Sequence, residues 1–432
     1  MADKTKGQLL ADELLIQRKN GAEIMSDEEI KKADNYCEGY KTFLDNAKTE
    51  REAVTESIKM AKAKGFTEFD RSKKYVAGDK VYLNNRGKAL ILAVIGSEPI
   101  QNGVNIMASH IDSPRVDIKA CPLYEDSEMA FLKTHYYGGI KKYQWTTVPL
   151  SLHGVVVKRD GTKVEINLGE DDKDPQFLIT DLLLHLWGEQ SKRPAADVIR
   201  GEEMNILIGS RPFKDDSASE KVKLNIMRLI NEKYGILEKD FLTAELTMVP
   251  AMKARDIGFD RSLIGGYGQD DRVCAYTSLC ATLEAEKIDR TIVTVLADKE
   301  ETGSYGNTGL DSSFMEYFIA DLAKPYGIDG RLVLSNSKCL SADVSAGFDP
   351  TFSDVSEKLN NSFMNYGVVV TKYTGSRGKS GTSDASAEFT NEVARVLDKH
   401  NVIWQTGELG KVDAGGGGTV AKYIAALDVD VV

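Results

Sequence analysis

TIVTVLADKEETGS, residues 291–304, sets an apolar, β-branched run directly against three carboxylates. Thr291 to Ala297 carries no helical stripe and reads as a buried strand, with Asp298, Glu300 and Glu301 crowded at its end. Two adjacent glutamates at the tip of a buried strand need a partner, and Gly303 follows to let the backbone turn away.

Outward from this strand, helix and strand patterns alternate. TAELTMVPA (243–251) reads as a strand, DRVCAYTSLCATLEAEK (271–287) and SFMEYFIADLAKPYG (313–327) as helices, RLVLSNS (331–337) as a strand and SDASAEFTNEVARVLDKH (383–400) as a long helix. Nearer the N-terminus a helical, charge-paired stretch holds a capping-box pair, Ser26 with Glu29. Three strand-like runs follow it, KVYLNN (80–85), KALILAVIG (88–96) and VNIMASH (104–110). This order predicts an α/β fold with a mixed, mostly parallel sheet and helices on both faces. The stretch 122–242 interrupts it: PLSLHGVVVKRDGTKVEINLGEDD (149–172) alternates as a hairpin around Arg-Asp-Gly, and Phe177 to Trp187 is an apolar helix candidate. We therefore expect a discontinuous main domain, 1–121 with 243–432, and an inserted β-rich domain at 122–242.

A chain of 432 residues is long for one core, which agrees with that division. A net charge of −11 argues against a polyanion partner, since nucleic acid binding rests largely on Lys and Arg neutralising phosphates. The longest apolar run, ALILAVI at 89–95, is too short to span a membrane, and the first twenty residues hold no secretory h-region. Five scattered cysteines without CxxC spacing suit buried thiols in a reducing compartment. The expectation is a cytoplasmic protein without nucleic acid or membrane partners.

Four acidic or histidine groups sit where apolar runs end: His110 with Asp112, Asp270 with Asp271, Glu300 with Glu301, and Asp343. Singly they have plain readings: the His-Asp pair as a satisfied surface pair, Asp-Asp as a helix N-cap and the adjacent glutamates as a solvated turn. Together they would repel unless a cation lay between them. One imidazole among carboxylates, with no thiolate, favours zinc, cobalt or manganese. Of the paired glutamates, one then ligates while its neighbour takes a proton from the metal's water, giving a hydroxide nucleophile near neutral pH.

These residues resemble a known family. ASHIDSPRVDIK (108–119), GQDDRVCAYTSL (268–279), DKEETGS (298–304) and SADVSAGFDP (341–350), in this order, are similar to the motifs of the M18 metallo-aminopeptidases, the aminopeptidase I and aspartyl aminopeptidase group. WTTVPLSLHGVVV (145–157) and GGGGTVAKYIA (415–425) extend the similarity over nearly the whole chain. The resemblance implies a zinc-exopeptidase-like fold and two Zn2+ per subunit, with Co2+ or Mn2+ as substitutes. It implies His110, Asp270 and Asp343 around one metal, Asp270 bridging to a second held also by Glu301, Glu300 as general base and Asp112 as the partner that orients His110. It implies that 122–242 forms dimers, that His185 completes a neighbouring subunit's substrate pocket, and that the dimers assemble into a tetrahedral dodecamer acting on peptides. From the residues alone, His185 reads equally as a core histidine satisfied by a local hydrogen bond.

Two departures from the family pattern stand out. Positions 346 and 349, histidines in the family, are Ala and Asp here, and the family's final metal-binding histidine does not appear before the sequence ends at LDVDVV. We expect either a chain cut short at its C-terminus or a second metal site lacking a nitrogen ligand. The same departures motivate an alternative, a non-catalytic homologue serving as an assembly or peptide- or metal-binding scaffold. A dinuclear phosphoesterase is a third possibility, though such centres use more histidines.

Overall fold

The computed structural model describes residues 4–432, which build two seven-stranded sheets. The first runs in the order Thr67–Glu68, Lys80–Asn85, Ala89–Val94, Ile292–Ala297, Asn105–His110, Lys338–Ser341, Asp430–Val431. Its last four strands are mutually parallel, while Ala89–Val94 is antiparallel to both of its neighbours. Ile292–Ala297 lies in the middle, paired with Ala89–Val94 on one side and Asn105–His110 on the other.

Alternation within these strands feeds two cores. Ile91, Ala93, Val293, Val295 and Ala297 pack under the helices Phe314–Ala323 and Gly330–Ser335. Leu90, Leu92, Val94 and Leu296 face the helices Asp27–Asn46, Glu50–Ala63 and Gln269–Glu284 on the other side. All six residues of Ala89–Val94 are buried, as a strand covered on both faces requires. The Ser26–Glu29 capping box is present at the start of Asp27–Asn46.

The second sheet is antiparallel throughout, in the order Lys163–Leu168, Leu150–Val157, Glu245–Pro250, Arg115–Asp126, Met129–Tyr137, Ile206–Gly209, Leu178–Ile179. Its strands thus draw on residues a little outside 122–242 at either end. The chain passes from the first sheet to the second between His110 and Arg115. Asp112 sits in that crossing.

Two expected elements differ. Phe177 to Trp187 is no helix: Leu178–Ile179 joins the second sheet, and Leu182 to Leu184, Leu186 and Trp187 lie exposed in the turns that follow. A run apolar on every side needs cover on every side to remain helical. RLVLSNS is mostly helix, Gly330–Ser335, because Asp329 caps the N–H of Arg331; the strand comes later, at Lys338–Ser341. No helix of the described residues is long and apolar enough to cross a membrane.

A buried polar cluster ties the two sheets' units together. His153, on Leu150–Val157, has its Nδ1 2.8 Å from Oε1 of Glu52 on Glu50–Ala63 and its Nε2 3.2 Å from Glu170, which also pairs with Lys253. Burial opposes the imidazolium, but Glu170 and Glu52 outweigh it and raise the His153 pKa above its ordinary value. Burial likewise opposes the Glu170 charge, and His153, Lys253 and Ser151 overcome it, holding the carboxyl down at about 2. The His153 contribution is therefore complete below the unfolded histidine's pKa, near 6.5, and is lost as pH rises through the higher folded value. The Glu170 contribution is present above about 4.5 and lost as pH falls toward about 2. His153→Gln is expected to cost about 3 kcal/mol near pH 6, and distinctly less at pH 9, in denaturant melts run at both values.

Candidate metal centre

Each acidic group is delivered by the end of a different element. His110 closes the strand Asn105–His110, and Asp112 follows it into the crossing. Asp270 and Asp271 open Gln269–Glu284, but both depart from helical backbone angles, so their side chains are set by the turn rather than by the helix. Glu300 and Glu301 lie on a short 3-10 turn after Ile292–Ala297, entered through Lys299 at φ 71° and left through Gly303 at φ 95°. Asp343 follows Lys338–Ser341, where the Ala342 N–H donates to the Ala108 carbonyl.

The structure brings these ends together around one imidazole. Nε2 of His110 lies 3.1 Å from Asp270 Oδ1, 3.8 Å from Asp343 Oδ1 and 3.9 Å from Glu300 Oε2. Two overlapping triads have ligand atoms within 4.8 Å of one another: His110 with Asp270 and Glu301, and His110 with Asp271 and Asp343. On its other side the His110 ring meets Asp112, with Nδ1 3.0 Å from the main-chain oxygen and 3.3 Å from Oδ1. Asp112 is fully buried and accepts the N–H of Glu300, the N–H of Glu301 and the hydroxyl of Tyr137.

Electrostatics divide these acids into two kinds. Burial opposes ionisation of Asp112, but His110, Tyr137 and the Glu301 amide overcome it and hold the carboxyl below its usual range. The acids on the open side of the ring move the other way. Burial first, then neighbouring carboxylates, raises Glu300 to about 7, Glu301 to about 8 and Asp343 to about 6, and drives Asp271 well above the normal range. Burial also opposes the charged form of His110, yet Asp112 and Asp270 raise its pKa well above 6.5.

Whether these residues suit a metal can be judged from the acceptors left over. Asp271 Oδ1 and Glu301 Oε1 are buried with no hydrogen-bond donor, an expensive state for a carboxylate oxygen. A divalent cation relieves both the missing partner and the mutual repulsion. The donor set is one nitrogen with several carboxylate oxygens, which fits zinc. Gly138, at φ 74°, leaves room for the Glu301 side chain: a Cβ there would stand 3.1 Å from the Cβ of Glu301.

Of the residues singled out from sequence, His110, Asp112, Asp270, Glu300, Glu301 and Asp343 converge. His185 does not; it is exposed in the turns after Leu178–Ile179. His153 is the seam residue described above, and His135 and His400 are exposed. Two contributors were not assigned from sequence. Asp271 was visible only as half of an acidic pair, and Tyr137 carried no signal, since it arrives from another sheet.

The profile of the family described as Aminopeptidase I zinc metalloprotease (M18) matches residues 43–432. A protein of Clostridium acetobutylicum named "Probable M18 family aminopeptidase 1" is 51% identical over 431 residues, covering 98% of this chain and 93% of that protein. The crystal structure of an M18 family aminopeptidase from Thermotoga maritima superposes with a TM-score of 0.92 at 42% identity, over 96% of this chain and 92% of the other. That of aminopeptidase I from Clostridium acetobutylicum gives 0.90 at 50% identity, over 97% and 92%. A dodecamer of yeast mApe1 shares the fold at 18% identity and a TM-score of 0.73, over 93% and 89%.

Proposed function

This chain belongs to the M18 family, the aminopeptidase I zinc metalloproteases, and from that premise we propose how its own residues divide the hydrolysis of an N-terminal peptide bond. His110, Asp270 and Asp343 would hold one zinc, and Asp270 with Glu301 a second; cobalt or manganese suits the same donors. Zinc supplies Lewis acidity, polarising the scissile carbonyl and making water acidic enough to attack near neutral pH. Glu300 takes the proton of the attacking water and returns it to the leaving amine. Its carboxylate lies 3.9 Å from His110 Nε2, beside the proposed ligands and assigned to neither zinc, which leaves it free to carry that proton between the two steps. Asp112 touches no substrate; it fixes the tautomer and tilt of His110.

The single observation that carries this reading is the approach of carboxylate oxygens from Asp270, Asp343 and Glu300, three separate segments, to within 4 Å of one buried imidazole nitrogen. The scaffold alternative gives no reason for a glutamate beside the ligands that serves no ligand's role.

For assembly, we propose that 122–242 pairs with a second copy and that His185 enters that copy's pocket. Leu182, Leu183, Leu184 and Leu186 surround His185 at 50–72% exposure, an apolar run that a partner would cover. Assembly of the dimers into a dodecamer is supported by the dodecamer of yeast mApe1, and we propose a tetrahedral arrangement for it. Five free cysteines support a reducing, cytoplasmic setting.

The test is zinc or cobalt titration of the protein with turnover of a panel of aminoacyl chromogenic substrates. Release of the first residue that rises with metal occupancy is expected; metal uptake with no substrate cleaved would favour the scaffold. In the same assay His185→Ala should leave zinc content unchanged and lower kcat/KM by about tenfold or more, the loss of one polar contact to substrate.

A further inference from the structure

Tyr137 ends the strand Met129–Tyr137 of the second sheet, yet its hydroxyl reaches the acidic rim of the first and donates to Asp112 Oδ2 at 2.7 Å. Asp112 gathers the rim from behind. Its Oδ1 receives the Glu300 amide at 3.1 Å and lies 3.3 Å from His110 Nδ1, and its Oδ2 receives the Glu301 amide at 3.2 Å. One carboxylate thus fixes both the imidazole and the turn that carries the paired glutamates, and Tyr137 is the side chain that holds this carboxylate from the second sheet.

The ring of Tyr137 is itself held. The Arg115 guanidinium lies 4.1 Å and the Lys299 ammonium 5.3 Å from its centroid. Arg115 is buried and anchored in turn, to Glu50 at 2.7 Å and Asp117 at 2.8 Å. Lys299 directly precedes Glu300, so the turn bearing the glutamates also packs against this ring. With the ring held in this way, the hydroxyl stays within hydrogen-bond reach of Asp112.

We infer that Tyr137 is a positioning residue for the metal centre: its hydroxyl locks Asp112, and through it the presentation of His110 and Glu301. The inference rests on the reading that these residues hold zinc. Partners that orient metal ligands without touching the metal commonly change its affinity 10- to 100-fold, because an ordered ligand set no longer has to be ordered on binding. It also means that the second sheet, beyond any part in assembly, sets the rigidity of the metal centre.

Tyr137→Phe keeps the ring beside Arg115 and Lys299 and removes only the hydroxyl. Zinc affinity, measured by chelator competition on the full chain, should fall about tenfold or more, with the melting temperature of zinc-free protein nearly unchanged. If Tyr137 acts through Asp112, the double variant Asp112→Asn with Tyr137→Phe should bind zinc no more weakly than Asp112→Asn alone. Zinc affinity within twofold of wild type, penalties that add in full, or a collapse of the zinc-free melting temperature would each overturn the inference. Wild-type protein that takes up no zinc would overturn the metal-centre reading and this inference with it; normal wild-type uptake with an unaffected Tyr137→Phe overturns this inference alone.

Discussion

Glu300→Gln should retain the zinc content of the wild type and lose roughly 10³-fold in kcat, within the 10²- to 10⁴-fold range of general acid–base catalysis. Glutamine preserves the size of the side chain and one acceptor oxygen but cannot take up a proton at any working pH. The local backbone has little cause to move, since the link from this turn to Asp112 runs through the main-chain N–H of Glu300, which the substitution leaves intact. KM should therefore stay near its wild-type value, placing the loss in the chemical step. The neighbouring change is the control. Glu301→Gln removes a proposed ligand whose Oε1 is buried without a donor, so it should lose metal as well as rate. Steady-state kinetics with elemental analysis of each variant separates the two outcomes. Undiminished turnover in Glu300→Gln would remove Glu300 from the role of base.

How much of this was legible before the structure follows from where each signal resides. Ile292–Ala297 could be read because both its faces are buried, which leaves a largely apolar run, rich in β-branched residues and without a charge. The acids at its tip stood out for the same reason, as charges abutting a run that excludes them. Asp270 was visible as an acid ahead of a helix. That its neighbour Asp271 would be buried against the backbone N–H of His110, with one oxygen unpartnered, depends on the non-helical turn joining them. Short apolar runs were less readable: RLVL has a strand's composition, and the cap from Asp329 decides for helix. The run Phe177 to Trp187 misled because its leucines suggested a core; the single chain provides none there. Tyr137 was beyond sequence reading altogether, since nothing local to YYGG says that its hydroxyl meets a carboxylate 25 residues earlier across the seam of two sheets.

The second large effect concerns metal stoichiometry and separates the shared ligand from the others. Asp270 lies 3.1 Å from His110 Nε2 and also shares a triad with Glu301, whereas Asp343, 3.8 Å from the same nitrogen, has no place in the Glu301 triad. In the proposed arrangement Asp270 serves both ions and Asp343 only one, so their substitutions should differ in kind rather than in degree. Asp270→Ala should abolish stable binding of both zinc ions and bring activity to background, because each site loses a charged donor and the two ions lose the anion that screens them from one another. Asp343→Ala should weaken one ion selectively, and excess zinc should restore part of the activity. Asp270 is also the most accessible of these acids, its side chain 52% exposed, so its removal opens no buried cavity and the fold should persist. Elemental analysis after desalting, alongside melting curves of the zinc-free proteins, provides the measurement. Equal losses in the two variants, each of a single ion, would mean that Asp270 does not bridge and that two carboxylates, not one, divide the ions between them.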